Sequence, residues 1–260
     1  MVAEVRIERE GPIAWLVFDH AARRNAMTGA MWQAIPGLCQ ELDADPQIRV
    51  IVLRGAGQVA FVSGADISEF EQLRSGDAAR RYDEENARAF EALAALSKPV
   101  LAMVHGFCVG GGCAIVLHAD LRYCDEAGVF GIPASRLGLG YTADGLATLV
   151  GTLGLAAAKE LFFTARRFRA ADALRLGLVS EIVPSGELEA RVREIALEIA
   201  ANAPLTLRSA KLVMRAVVAG ETATQQAALR ASITACYSSE DYVEGVRAFL
   251  EKRSPRFRGC

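Results

Sequence analysis

Two short stretches concentrate the residue types that chemistry on a carbonyl group needs: F-V-S-G-A-D-I at 61–67 and G-F-C-V-G-G-G-C at 106–113. Each follows an apolar run and combines small side chains with glycine, so a ligand can approach the main chain closely. A helix opening near Gly112 would aim free N–H groups and its positive dipole end outward. Two main-chain N–H groups converging on one point form an oxyanion hole, in which a thioester carbonyl would be polarised toward its enolate. The competing reading is that these glycines serve only tight turns and close helix–strand packing, and each loop taken alone is better explained that way. Neither stretch is the G-x-G-x-x-G of dinucleotide binding or the G-x-x-x-x-G-K-[ST] of a phosphate loop.

The elements that must hold these loops are written in the hydrophobic pattern. Residues 4–9 alternate and 13–19 are apolar, with Gly11-Pro12 between them, which predicts a hairpin. A helix is expected from near Thr28 to Asp45, with Pro36 as a kink or break. Buried strands are expected at 49–55 and 100–104 and a short one at 121–124, with helices over 77–97 and 112–119. From about 143 helical patterns take over, at 145–153, 155–164, 170–176, 186–202, 204–219, 221–237 and 239–252. Strand–helix alternation followed by helices predicts an α/β core, residues 1–195, with a C-terminal helical region, 196–260.

Bulk properties narrow the function. The 260 residues suit one α/β domain with a smaller appendage, and 52% apolar with 23% charged residues is ordinary for a globular protein. A formal net charge of −2 gives no electrostatic case for nucleic acid or a membrane surface. No run approaches the ~20 apolar residues of a membrane span, and the first ten residues have no apolar leader segment, so a cytoplasmic location is expected. The six cysteines form no C-x-x-C and read as buried, reduced thiols. The three histidines have no metal-ligand spacing, so no metal is expected.

Taken together, F-V-S-G-A-D-I, H-G-F-C-V-G-G-G-C and F-G-I-P-A-S-R-L-G-L-G resemble the enoyl-CoA hydratase/isomerase (crotonase) superfamily. So do the stretches at 156–179 and 239–257, and the five segments follow the family's order over nearly the whole chain. The resemblance implies a fold of repeated ββα units, a homotrimer or homohexamer, and an acyl-CoA substrate, with no cofactor apart from the coenzyme A it carries. It implies that the N–H groups of Ala65 and Gly111 hold the thioester oxygen. Arg23, Asn25, Ala26, Ala65, Asp66 and Ile67 fall where the family binds the adenine and pantetheine portions. Phe249 and Lys252 match positions that help bind the nucleotide end, often of a neighbouring subunit's ligand; Lys252 is otherwise a solvated helix end.

The pattern breaks where protons should move. Hydratases resembling this chain carry one glutamate directly after G-G-G-C and another directly after F-G-x-P, and here those positions are Ala114 and Ala134. A methyl group cannot transfer a proton. Replacements could come from the loop after L-G-L-G. Related dehalogenases and dienoyl isomerases have an aspartate at the position of Thr142, and Asp144 lies two residues on. Tyr141 matches the tyrosine of a methylmalonyl-CoA decarboxylase, although that enzyme has histidine where this chain has Ala65. The structural alternatives are a packing aromatic for Tyr141, a cap of helix 145–153 for Asp144, and a loop-fixing carboxylate for Asp66. Three functions remain open: an acyl-CoA enzyme with replacement acid–base groups, a decarboxylase of a malonyl-type thioester, and a non-catalytic acyl-CoA binder. Acyl specificity is expected to rest on 68–96 and 134–150.

Overall fold

Strand β2 (Ile13–Asp19) is buried over its first six residues, as an apolar run without polar alternation must be. It pairs antiparallel with β1 (Glu4–Glu10), Glu4 opposite Asp19, which is the expected hairpin. It pairs parallel with β3 (Val50–Gly55) on its other side. Beyond β3 follow β5 (Val100–Val104), β7 (Leu121–Asp125) and β10 (Glu181–Val183), all parallel, giving a six-stranded sheet of order β1-β2-β3-β5-β7-β10. A second sheet joins β4 (Ala60–Val62), β6 (Phe107–Val109), β8 (Val129–Gly131) and β9 (Phe168–Arg169) in that order. Consecutive strands from β3 to β8 thus alternate between the sheets, a strand pair to each turn of the ββα repeat. This computed structural model describes residues 2–69 and 76–260, so the part of the expected acyl-pocket wall at 70–75 lies outside the described residues.

The helices are α1 (Gly29–Ala44), α2 (Gly76–Ala95), α3 (Gly111–Val116), α4 (Ala143–Leu153), α5 (Leu155–Thr164) and α6 (Ala170–Arg175), then α7 (Leu188–Ala200), α8 (Pro204–Ala219), α9 (Gln226–Tyr237) and α10 (Glu240–Leu250). The two faces of the large sheet feed two cores. Ile13, Trp15 and Val17 pack with Val50, Val52 and the α7 residues Val192 and Ala196. Their neighbours Ala14, Leu16 and Phe18 point the other way, into a larger core with Trp32, Phe61, Cys113 and Phe168. Helix α7 packs on the sheet through Val192 and Ala196, and it spans positions 195 and 196.

Three expectations are corrected. Pro36 does not break α1, which is continuous from Gly29 to Ala44. Its missing N–H removes one helical hydrogen bond, but Met31, Trp32 and Ile35 before it and Cys39 and Leu42 after it are all buried and anchor both halves in the core. The helix expected over 221–237 starts at Gln226. Strands β4, β6, β8, β9 and β10 have two or three residues each, too few to show a period. Four of the six cysteines are buried thiols, but Cys236 is partly and Cys260 fully exposed.

Helices α8, α9 and α10 enclose an open apolar groove of about 800 Å³, lined by Met214, Ile233, Tyr237, Tyr242, Val246 and Phe249 among others. No helix among the described residues is long and apolar enough to cross a membrane.

Candidate active site

The first loop leaves β4 at Val62 and turns through Gly64, whose φ of +117° favours glycine. Met27 N–H donates to Gly64 O and Asp66 N–H donates to Met27 O, each at 2.8 Å. This parallel bridge sets Met27 against Ala65. Met27 uses the groups on either side of Ala65, so the Ala65 N–H itself points away from it. The second loop leaves β6 at Val109. Gly110 N–H donates to Gly131 O at 2.8 Å, and the first bond of α3 runs from Ala114 N to Gly110 O. Gly111 is therefore the first helical residue, and its N–H precedes the intrahelical ladder. Neither the Ala65 nor the Gly111 N–H bonds a main-chain acceptor among the described residues.

The glycines divide the work. A methyl group on Gly112 would sit 2.2 Å from Val62 O, so that position is a packing requirement of α3 against β4. Gly110 has φ +55°, a turn requirement. The turn-and-packing reading accounts for these two. A methyl on Gly111 would lie 3.1 Å from Trp32 Cζ2 and 4.0 Å from the Gly64 carbonyl carbon, the atom bonded to Ala65 N. One on Gly110 would lie 3.8 Å from Gly64 Cα. The Gly64–Ala65 and Gly110–Gly111 peptides are thus neighbours, although 46 positions separate Ala65 and Gly111 in the chain.

Carboxylates close to the first loop are already occupied. Asp66 is 7% exposed. It accepts from Arg23 Nη1 at 3.0 Å and from the N–H (3.0 Å) and hydroxyl (2.7 Å) of Ser68. Burial opposes its ionisation, but the two Ser68 bonds, Arg23 and His20 outweigh it and hold the carboxyl below its usual range. Asp66 is therefore the loop-fixing carboxylate and not a free base. Glu69 Oε2 accepts from Gly29 N–H at 2.9 Å, at the opening of α1. Asn25 is 1% exposed with φ +56°. Its Nδ2 donates to the carbonyls of Ala56 and Ala60, and its Oδ1 accepts from His20 N–H. Its side chain is spent inside the protein, which ties the Arg23–Ala26 turn to β4. Ala26 is buried and its carbonyl accepts from His20 Nδ1 at 2.9 Å; Ile67 is exposed.

Ala114 lies half-buried on α3, one turn after Gly111, and Ala134 is 3% exposed in the turn Pro133–Arg136. Trp32, Phe90 and His118 form an aromatic wall that sequence reasoning missed. The Trp32 and Phe90 rings meet edge-on at 5.2 Å, and Phe90 stacks on His118 at 5.4 Å. The sequence carries no local signal for it, because the three rings come from α1, α2 and the turn that follows α3. Burial, and secondarily the positive Arg215, push the His118 imidazole down to about 4.

Tyr141 is half-buried and meets Phe162 edge-on at 5.0 Å. Asp144 is exposed and does not cap the following helix; Thr142 does, its Oγ1 accepting from Gly145 N–H at 3.3 Å. The cap falls two residues earlier than expected because α4 itself starts at Ala143. Phe249 is 83% exposed on the C-terminal groove, and Lys252, with φ +55°, follows the end of α10. None of the loop residues lines that groove. The structure thus gathers Ala65, Asp66, Arg23 and Gly111, and sets Phe249 on a groove that none of them lines. Among the described residues no group of His, Cys, Asp and Glu side chains could hold a metal ion.

Comparisons with known proteins bear on the whole chain. The sequence profile described as enoyl-CoA hydratase/isomerase matches residues 8–260. The short-chain-enoyl-CoA hydratase of Clostridium acetobutylicum is 33% identical over 249 residues, covering 96% of this chain and 95% of that protein. The crystal structure of an enoyl-CoA hydratase/isomerase family protein from Hyphomonas neptunium superposes with a TM-score of 0.93 at 37% identity, covering 97% of each chain. An enoyl-CoA hydratase/carnithine racemase from Magnetospirillum magneticum gives 0.92 at 33% identity, with 98% of this chain and 96% of that one covered.

Proposed function

The chain belongs to the enoyl-CoA hydratase/isomerase family, and from that premise we propose that it is an acyl-CoA enzyme working by enolate stabilisation. In this reading the N–H groups of Ala65 and Gly111 hold the thioester oxygen, and their charge-stabilising effect grows as the carbonyl becomes an enolate. The observation that carries it is the adjacency of two peptides whose N–H groups have no main-chain acceptor among the described residues. Arg23, Asp66 and Ser68 brace the first loop. Arg23, Ala26 and Ile67 border the course of the coenzyme A, and the enzyme takes no cofactor beyond that moiety.

Ordinary hydration is not the reaction this site favours. It needs a group that takes a proton from water and one that delivers a proton to C2, and Ala114 and Ala134 are neither. Asp66 and Glu69 are engaged elsewhere. These observations favour a second, more specific reading: decarboxylation of a malonyl-type thioester. There the C2–carboxylate bond breaks, its electron pair enters the enolate held by the two N–H groups, carbon dioxide leaves, and water protonates C2. No protein base is required, and a site without glutamates does not repel the substrate carboxylate. Tyr141, at the start of the α4 loop, is the side chain assigned to orient that carboxylate.

The test offers crotonyl-CoA, followed by loss of conjugated-thioester absorbance, and malonyl- and methylmalonyl-CoA, followed by carbon dioxide release. Release from a malonyl-type thioester supports the decarboxylase. Hydration alone shows that other groups replace the glutamates. Binding without turnover of any of them makes the protein an acyl-CoA binder. We further propose a homotrimer or homohexamer in which other copies cover the C-terminal groove and bring Phe249 and Lys252 to a neighbour's nucleotide. Light scattering that returns the mass of one chain refutes that assembly.

A further inference from the structure

At the end of the large sheet away from the glycine loops, a cavity of about 110 Å³ is lined by Arg49, Lys98, Arg208 and Arg258 and by no aspartate or glutamate. Arg49 directly precedes β3 and Pro99 directly precedes β5. Strand β4, which leads into the first loop, lies at the far end of β3: a methyl group on Gly55 would sit 2.4 Å from Ala60 O. The six residues of β3 span about 20 Å. The cavity also shares no residue with the C-terminal groove. It belongs to neither site described above.

Its positive charges lack counter-charges. Lys98 is 1% exposed, and its Nζ donates to the carbonyls of Leu42 (2.6 Å) and Asp45 (2.5 Å), which uses two of its three N–H groups. A buried ammonium is ordinarily paired with a carboxylate, but Asp43 accepts from the N–H and hydroxyl of Ser97 and Asp45 from Gln47 N–H and Arg9. Burial and the positive Arg208 push the Lys98 ammonium below its ordinary range, against the pull of Asp43 and Asp45. Arg49 donates only to the carbonyls of Ala200 (3.1 Å) and Phe257 (2.6 Å). The guanidinium groups of Arg208 and Arg258 have no ion pair or hydrogen bond among the described residues. Asp241 is taken by the main-chain N–H groups of Arg258 and Gly259. The first turn of α8, which borders the cavity at Pro204 and Leu207, has neither a capping side chain nor an acidic residue, so its positive dipole end is also unanswered.

We propose that this cavity is a binding site for a tetrahedral oxyanion, either inorganic phosphate or the phosphate of a small monoester. Guanidinium forks match the oxygens of such a group, and the bonds are charge-assisted. At about 110 Å³ the space falls well below the ~300–1,000 Å³ of pockets for drug-sized ligands, so it takes one small group and not a nucleotide. Its walls come from segments far apart in the chain: 46–49 and 98–99 of the core, 199–208 at the junction of α7 and α8, and 258–259 of the tail. An anion held there fastens the helical end to the sheet, and it stabilises the native chain in proportion to its binding. The site is independent of the thioester reading.

The experiment titrates inorganic phosphate into the full chain by calorimetry and follows Tm in parallel, with potassium chloride holding ionic strength constant because exposed charges are screened by salt. Saturable binding is expected, with a Tm that rises as phosphate passes its Kd. Arg208→Gln and Arg258→Gln remove charge from side chains that bond nothing in the protein, so both variants should fold. Each should weaken phosphate binding about tenfold or more, the effect of losing one charge-assisted hydrogen bond. Glycerol 3-phosphate separates the two sources: binding as tight as that of phosphate shows that the cavity reads the end of a larger molecule, and binding of phosphate alone shows that it takes the free ion. Should either variant fold poorly, competition in the wild type supplies a second readout, in which sulfate displaces phosphate and chloride does not. No saturable binding of phosphate or glycerol 3-phosphate beyond the effect of chloride, affinity unchanged in both variants, or failure of sulfate to compete overturns the proposal.

Discussion

Replacing Gly111 with proline removes one hydrogen-bond donor while disturbing little else. The position is the first residue of α3, where an N–H has no intrahelical acceptor and proline is well tolerated. Proline also restricts the residue before it, excluding the right-handed helical region, and Gly110 is not in that region (φ +55°, ψ −114°). The steric consequence is the contact of a Cβ with Trp32 Cζ2 at 3.1 Å, which asks the indole to move by a few tenths of an ångström. Overpacking of that kind costs about 1 kcal/mol, or a fall in Tm of about 2–4 °C for a chain of this size. The catalytic loss is much larger. Removing one oxyanion donor costs about 2.7–4 kcal/mol in the transition state, or about 10²–10³ in kcat. A neutral ground-state hydrogen bond is worth about 0.5–1.5 kcal/mol, so thioester Kd should weaken only about 2–12-fold. A thioester of dimethylaminocinnamic acid reports the same contact without turnover, because polarisation of its carbonyl moves its absorbance to the red. The wild type should produce that shift and Gly111→Pro should lose it. A full red shift in a folded Gly111→Pro protein refutes the assignment of the hole.

Gly112→Ala tests packing apart from chemistry: its Cβ would meet Val62 O at 2.2 Å. A loss of about 1–3 kcal/mol is expected on urea unfolding, and wild-type stability would mean that α3 does not sit on β4 as described. His118 makes stability depend on pH. Its folded pKa of about 4 lies below the ordinary 6.5, so between those values the unfolded chain binds a proton that the native chain does not. Stability contributed by neutral His118 is therefore complete above about pH 7 and falls toward pH 4, by up to about 3 kcal/mol. His118→Phe should flatten that part of the profile, and an unchanged slope between pH 7 and 4 counts against burial of the ring as its cause. Ala114→Glu combined with Ala134→Glu should raise crotonyl-CoA hydration at least about 10²-fold, the lower range for a positioned acid–base pair; no gain in a folded double variant means the alanine positions do not face the thioester.

Much of the fold could be read from local pattern. The hairpin, the buried runs at 49–55 and 100–104, and helices 155–164 and 204–219 are each long enough to display a period of two, an unbroken apolar run or a period near 3.6. The small sheet was not legible, because its strands of two or three residues carry no period and are defined by their partners. Pro36 does not break the helix for a related reason: propensity describes an isolated helix, whereas buried residues on both sides of the proline hold this one together.

By itself the sequence determined where the two glycine-bearing loops lie, that alanine stands at positions 114 and 134, and that the chain is an α/β protein with a helical end. Those are properties of residue type and spacing. Only the tertiary structure decided which glycine does what, because Gly112 is read against Val62, fifty residues away, and Gly111 against Trp32 and Gly64. The same holds for Asp66 clasped by Arg23, Asn25 spent on Ala56 and Ala60, and the wall of Trp32, Phe90 and His118. Each depends on contacts between segments far apart in the chain, and a side chain's role is set by its neighbours in space, which local spacing does not encode.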